Sequence, residues 1–227
     1  MTDANPHATK HPFGPSYQLR ELPDGQVIPG AAYAPDPRPV HRMMTIALRQ
    51  RWPDFPYGLK VADLACNGGF HGIKLLRDGA RECSFVDMDV ESIKVAKETA
   101  RAWDVHRLGC FLDGDIESFD PLASFDLIMA HQVIYHLADP IGFLRRVHRG
   151  LKPDGAFAMY TRIAHAVHPR THEWVPSWQT MQETLQHIGF KSVTFLGEED
   201  VVKKVHPSTR DIRSAGQEKL LVVAFCS

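Results

Sequence analysis

The amino-acid sequence predicts an α/β fold: a single doubly wound, mostly parallel seven-stranded sheet with an antiparallel last strand, preceded by a proline-rich N-terminal arm. Three observations predict it. From residue 60 onward, short apolar runs alternate with segments of helical periodicity, the pattern of a parallel sheet covered by helices on both faces. The run FDLIMA at 125–130 is almost continuously apolar, as suits a strand buried on both faces. Eight of the 16 prolines fall in residues 1–40, where lost amide donors and a fixed φ forbid a long helix or a central strand. A chain of 227 residues is long enough for one sizeable core. The expected division is an arm or lid over 1–40 and one domain over 41–227.

The elements follow in order. The arm is read as extended with turns, such as Pro23-Asp24-Gly25, and Phe13, Tyr17 and Tyr33 give it rings to bury. Residues 40–52 space Met43, Met44, Ala47 and Leu48 as an amphipathic helix, ended by Pro53 and Pro56. A strand is expected at 60–65, a helix at 71–78, a strand at 83–87 and a helix at 90–103. Strands at 108–112 and 125–130 follow. A helix is expected at 140–151, with Pro140 in its first turn. A fifth strand is read at 155–161, and a helix at 178–188 that Ser177 can cap. Strands at 192–196 and 220–225 close the sheet, joined by a charged stretch with no crossover helix, so this pair is expected to be antiparallel.

Composition excludes several functions. The net charge is -1, without the basic excess that nucleic-acid binders usually carry. The longest apolar stretch, 220–226, falls far short of the roughly 18 residues that span a bilayer. The first 30 residues lack an apolar core behind a basic start, so no secretory signal is expected. Cys66, Cys83, Cys110 and Cys226 form no C-x-x-C pair, which argues against a zinc site or a disulfide scaffold and for a reducing, cytoplasmic setting.

In an open doubly wound sheet, ligands sit beyond the carboxyl ends of the strands. The first strand there runs into Asp63-Leu64-Ala65-Cys66-Asn67-Gly68-Gly69-Phe70-His71-Gly72. A strand, a glycine-bearing turn and a helix N-terminus make a cradle for a polar ligand. No Gly-Lys-Ser/Thr follows, so it is not a phosphate loop. Ala65 and Asn67 also spoil a dinucleotide fingerprint, which disfavours a dehydrogenase. Asp87 ends the second strand 18 residues after Gly69, close to the ~20 expected of an acid that accepts from ribose hydroxyls; the structural alternative is a helix cap. Asp115 can accept from an exocyclic amine while Ile116 packs on a flat base, or the pair is simply a turn. The fourth strand ends at His131.

These segments resemble the class I, seven-stranded S-adenosylmethionine-dependent methyltransferases, over roughly residues 55 to 226. Residues 63–72 are similar to D-L-G-C-G-x-G, 84–97 to the ribose-acid strand and following helix, and 114–116 to G-D-x. Residues 125–140 are similar to F-D-L-v-x-x-x-x-V-L-x-H-L-x-D-P, and 151–155 to L-K-P-G-G. The resemblance implies S-adenosylmethionine as cofactor, S-adenosylhomocysteine as product, and a cofactor site of Asp63, Ala65, Cys66, Asn67, Gly69, Asp87, Met88, Asp115, Ile116 and His131. Ala65 and Asn67 replace the first two glycines of the first motif. Asn67 could itself bond the methionine portion, and Ala65 adds only a methyl group. Ala-His-Gln at 130–132 differs from the N-P-P-Y of enzymes that methylate base amines.

Methyl transfer from a sulfonium is an in-line displacement that needs the nucleophile held about 3–3.5 Å from the methyl group. Histidine is the natural base near neutral pH. His131 is read either as that base or as a main-chain contact to the cofactor. His136 matches the histidine of the fourth-strand motif, where the family usage is structural, and is the second catalytic candidate. Tyr33, Tyr135, Arg162, His165, His168 and Trp174 are the candidate acceptor contacts. His165, His168 and His172 have metal-ligand spacing, but Pro169 breaks the helix that would align them, so no metal is expected. Arg145, Arg146, His148, Arg149 and Lys152 form either a solvated helix face or an RNA-docking patch. The expected partner is a small-molecule acceptor, a biosynthetic metabolite, with no membrane partner and with a homodimer left open. A tRNA-modifying enzyme and a non-catalytic protein of the same fold remain the alternatives.

Overall fold

The computed structural model describes residues 18–31, 34–164, 174–197 and 217–227. Two short strands, β1 (Arg20–Glu21) and β2 (Val27–Ile28), form an antiparallel hairpin in the proline-rich segment. Its turn is the expected one: Gly25 adopts φ 84°, and the Leu22 amide donates to the Gln26 carbonyl at 2.9 Å. Helix α1 (Pro37–Arg49) starts three residues earlier than its periodicity suggests, because Asp36 caps it and prolines occupy its first turn.

The main sheet contains β3 (Lys60–Leu64), β4 (Glu82–Asp87), β5 (Gly109–Asp113), β6 (Phe125–Ala130), β7 (Leu151–Ala164), β8 (Ser192–Leu196) and β9 (Gln217–Phe225), in the order β5-β4-β3-β6-β7-β9-β8. Strand β9 runs antiparallel to both β7 and β8, while the other pairs are parallel. The remaining helices are α2 (Phe70–Arg77), α3 (Val90–Ala102), α4 (Pro140–Gly150) and α5 (Trp178–Ile188).

Side chains alternate across the central strands. Val61, Leu127, Met129, Ala156, Ala158, Leu221 and Val223 pack with α1, α2 and α3. Ala62, Ile128, Ala130, Phe157, Met159, Leu220 and Val222 pack with α4 and α5 on the other face. The chain reads β3, β4, β5 outward in one direction, then returns to β6 on the other side of β3. That reversal opens a crevice at the carboxyl ends of β3 and β6.

Strand β7 begins before its expected start at Gly155. Leu151 pairs with Phe125 and Ala156 with Leu127, so the Lys152-Pro153-Asp154-Gly155 segment is a bulge inside a longer strand.

Candidate active site

The crevice is a cavity of about 570 Å³. Its floor is built by the turn between β3 and α2. Ala65, Asn67 and Gly69 take left-handed backbone, at φ 54°, 50° and 75°. Asparagine tolerates this region and glycine is at ease in it, but alanine is strained there. Gly69 and Gly72 also have no room for a side chain: a Cβ on Gly69 would lie 3.0 Å from the Ala96 Cβ, and one on Gly72 would lie 2.7 Å from the Cys83 Sγ. Close packing of α2 on β4 thus keeps the helix N-terminus directed at the crevice.

Three side chains brace the turn. Asp63, buried one residue before the end of β3, accepts from the Gly72 amide at 2.9 Å. Burial pushes its carboxyl up to about 7; the Gly72 bond pulls it down, and the nearby Asp87 charge raises it further. Asp87 ends β4 and accepts from the Asn67 amide at 2.8 Å and from the Asp89 amide at 2.9 Å. The Asn67 side-chain oxygen accepts from the Gly68 amide at 2.8 Å and the Gln18 amide at 3.3 Å. That oxygen therefore pins the turn and ties the segment after residue 17 over it.

Past the turn, His131 closes β6. The Tyr160 amide donates to its Nδ1 at 3.0 Å, so the neutral ring carries its proton on Nε2. That Nε2 is buried, with no hydrogen-bond partner among the described residues. Burial lowers the His131 pKa to about 4. Its ring lies 4.4 Å from that of His71, which stacks on His41 at 5.6 Å, with the two Nδ1 atoms 3.4 Å apart. One of this last pair must carry the Nδ1 proton for the contact to be a hydrogen bond. Burial lowers the pKa of His71 strongly and that of His41 to about 3, so the three rings form a neutral stack from α1 to β6.

Of the residues expected at the site, Ala65, Asn67, Asp87, His131, Tyr135, His136 and Arg162 line the cavity. Asp63 and Gly69 shape its floor from beneath. Cys66 is buried in the core, and Met88, 79% exposed, lies outside the lining. Asp115 and Ile116 also lie outside it; the Asp115 carboxylate accepts from the Glu117 amide at 2.8 Å, and Ile116 packs with the core. Trp174 packs against the α4–α5 side of the sheet, away from the lining. Tyr33, His165 and His168 lie outside the described residues. The lining also contains Asp36, Pro37, Val40, His71, Gln132, Tyr160 and Lys219, which the strand-end reading did not single out. His71 was visible in the first motif. Lys219 carried no signal, because β9 reaches the cavity only through its pairing with β7.

Outside the cavity, the basic cluster expected on one helix is split between α4 and the start of β7 and is partly neutralised: Arg149 on α4 pairs with Asp120 at 2.6 Å and Lys152 on β7 with Asp126 at 2.8 Å. No helix among the described residues is long and apolar enough to cross a membrane.

Comparison with known proteins places this geometry in context. A tRNA U34 carboxymethyltransferase of Alteromonas mediterranea is 25% identical over 156 residues, covering 60% of this chain and 46% of that protein. A ubiquinone biosynthesis O-methyltransferase of Bradyrhizobium diazoefficiens is 30% identical over 104 residues, covering 46% of this chain and 40% of that protein. The chain thus spans less than half the length of either curated relative. Among solved structures, that of the (4+2)-cyclase SpnF superposes with a TM-score of 0.66 at 15% identity, covering 93% of this chain and 87% of that one, a likeness of fold alone. The family model described as a methyltransferase domain matches residues 57–207. That span contains the turn after β3, the acid ending β4 and the histidine ending β6, and the chain belongs to this methyltransferase family.

Proposed function

We propose that the protein transfers a methyl group from S-adenosylmethionine to a small-molecule acceptor. The observation that supports this most is the continuous cavity from Asp87 to Arg162, with a strained, glycine-bearing turn at one end and aromatic and cationic side chains at the other. The residues present fit the cofactor. The left-handed turn and the α2 N-terminus suit the methionine end, and each Asp87 oxygen keeps accepting capacity beyond its one backbone bond. The bound cofactor would supply an electrophilic methyl group on a sulfonium centre.

On this reading His131 is a fixed hydrogen-bond donor rather than a base. Its Nδ1 lone pair is engaged by the Tyr160 amide, and burial holds the ring neutral, so Nε2–H is the group it offers. This revises the expectation of a base at that position. His136, exposed at the cavity mouth beside Tyr135, is the histidine left to accept a proton from an acceptor that must lose one.

A tRNA acceptor is the second reading, favoured by the tRNA-modifying relative. The pairing of Arg149 and Lys152 with carboxylates weakens it, since those charges already have partners.

Calorimetric titration with S-adenosylmethionine and S-adenosylhomocysteine tests the main reading. Micromolar binding is expected for wild type, weakened at least tenfold in Asp87→Ala through loss of a charged acceptor. Unaltered affinity in the variant would remove the cofactor site from this cavity.

A further inference from the structure

We propose that the acceptor is anchored by a carbonyl oxygen, of a ketone, ester or amide, held by two neutral donors from His131 and Gln132. The inference rests on the cavity being the acceptor site, as read above. His131 lines the cavity, and its Nε2–H is buried with no partner among the described residues. The neighbouring His71 ring, 4.4 Å away between centroids, turns its Nδ1 to His41 instead. A buried donor without a partner is costly, so its presence calls for an explanation. An oxygen that enters the cavity with its ligand supplies one.

Gln132 brings the second donor. Met129 packs on the α1 side of the sheet and Ala130 on the α4 side, so alternation puts His131 on the α1 side and would turn Gln132 away from it. Gln132 instead takes left-handed backbone at φ 56°, fixed by donation of its amide to the Tyr160 carbonyl at 2.6 Å. Its side chain meets Lys219, which lies in step with Leu221 on the α1 side and donates to the Gln132 side-chain oxygen at 2.7 Å. Two consecutive side chains therefore line one cavity. An ammonium group can only donate, so the carboxamide oxygen must face Lys219, which leaves the carboxamide nitrogen to meet a ligand. That nitrogen has no partner among the described residues. Backbone strain that sets a second donor beside the first is what a binding site maintains.

The pair selects by what it lacks. An amine or an alcohol brings a proton of its own, but the His131 Nδ1 is engaged by the Tyr160 amide and the Gln132 oxygen by Lys219. A carbonyl oxygen brings two lone pairs and no proton. It is also neutral, so it bears less desolvation cost beside a buried ring than an ion would. With both lone pairs occupied, this oxygen anchors the acceptor and the methyl group goes to a different atom. Val40, Val133 and Tyr135 add apolar wall for the body that carries the carbonyl.

The probes are acetophenone, labelled with carbon-13 at its carbonyl, and α-methylstyrene, its isostere with a methylene group in place of the oxygen. Both are titrated by NMR, with and without S-adenosylhomocysteine. The acetophenone carbonyl resonance is expected to move downfield on binding, as a carbonyl does when it accepts hydrogen bonds. The variants are His131→Asn, whose side-chain oxygen can still accept from the Tyr160 amide, and Gln132→Gly, which suits φ 56° without a carboxamide. Each is expected to lower the ratio of acetophenone to α-methylstyrene affinity about tenfold. Affinity for α-methylstyrene, which uses only the apolar wall, is expected to hold and so reports that the variants are folded. No acetophenone binding by wild type, no downfield movement, or a ratio unmoved by the substitutions would each overturn the two-donor site. Titration with S-adenosylhomocysteine alone separates the two readings. Its failure alongside ketone binding that depends on His131 and Gln132 removes the cofactor site and leaves the donors; the reverse removes the donor site alone.

Discussion

Ala65 and Asn67 occupy left-handed backbone where the family motif has glycines, and the two residues solve the same problem differently. Asn67 spends its side-chain oxygen on the Gly68 and Gln18 amides, a local gain that offsets strain. Ala65 has no such bond. Ala65→Gly is therefore expected to stabilise the protein by about 1 kcal/mol in urea unfolding, less whatever the freer unfolded chain returns. A loss of stability would mean that the Ala65 methyl packs for more than its strain. Asp87 was legible because its spacing from the glycine turn is set by one helix and one strand. Gln132 was not, since nothing in a glutamine announces φ 56°, and neither was Lys219, which reaches the cavity through strand pairing remote in sequence. The role of His131 also needed coordinates: its place at the end of β6 was readable, but which ring nitrogen is engaged was not.

The helices and strands were legible wherever period and cap agreed. Ser177 does cap α5 through the Thr180 amide, and Asp139 and Pro140 open α4. The proline-rich segment hid its hairpin because two-residue strands leave no alternation to read. That hairpin buries Arg20, Leu22 and Ile28 and is also lashed down by polar contacts. The Trp103 indole donates to the Glu21 carbonyl at 2.7 Å, and Glu21 faces Lys74 and Arg77 at 3.6 and 3.9 Å. Arg77 lies over the Trp103 ring at 3.2 Å. Trp103→Phe keeps a ring but removes the donor, at a cost of about 1 kcal/mol. Amides of residues 18–28 are expected to exchange hydrogen about fivefold faster in that variant, with amides of β3 and β6 unchanged. Equal exchange would show that the Glu21 charges hold the hairpin without the indole.

At the scale of the molecule, buried titratable groups dominate the response to acid. His41, His71 and His131 have folded pKa values below the ordinary 6.5, so below that pH the unfolded chain binds three protons that the folded one refuses. Asp63 works in the opposite sense. Its carboxyl is raised to about 7, so between roughly pH 4 and 7 the folded state holds one proton that the unfolded chain has lost. A net of two protons favours the unfolded state as pH falls. Stability is thus expected to peak near pH 7 and to drop by about 2–3 kcal/mol per pH unit between 6 and 5. Urea unfolding across that range checks it. His41→Phe should roughly halve the slope and Asp63→Asn should steepen it. A flat profile would mean that the histidine stack takes up protons without unfolding.

The position of β9 between β7 and β8 orders events during synthesis. A ribosome delivers β8 before β9, yet β8 touches the sheet only through β9. Until β9 emerges, the nascent chain holds β7 as an open edge and β8 as an orphan. Lys219, which lines the cavity, arrives with that same strand. Completion of the cavity wall and closure of the sheet therefore become available together, and a translation intermediate short of residue 217 holds the turn after β3 without the wall that β9 completes.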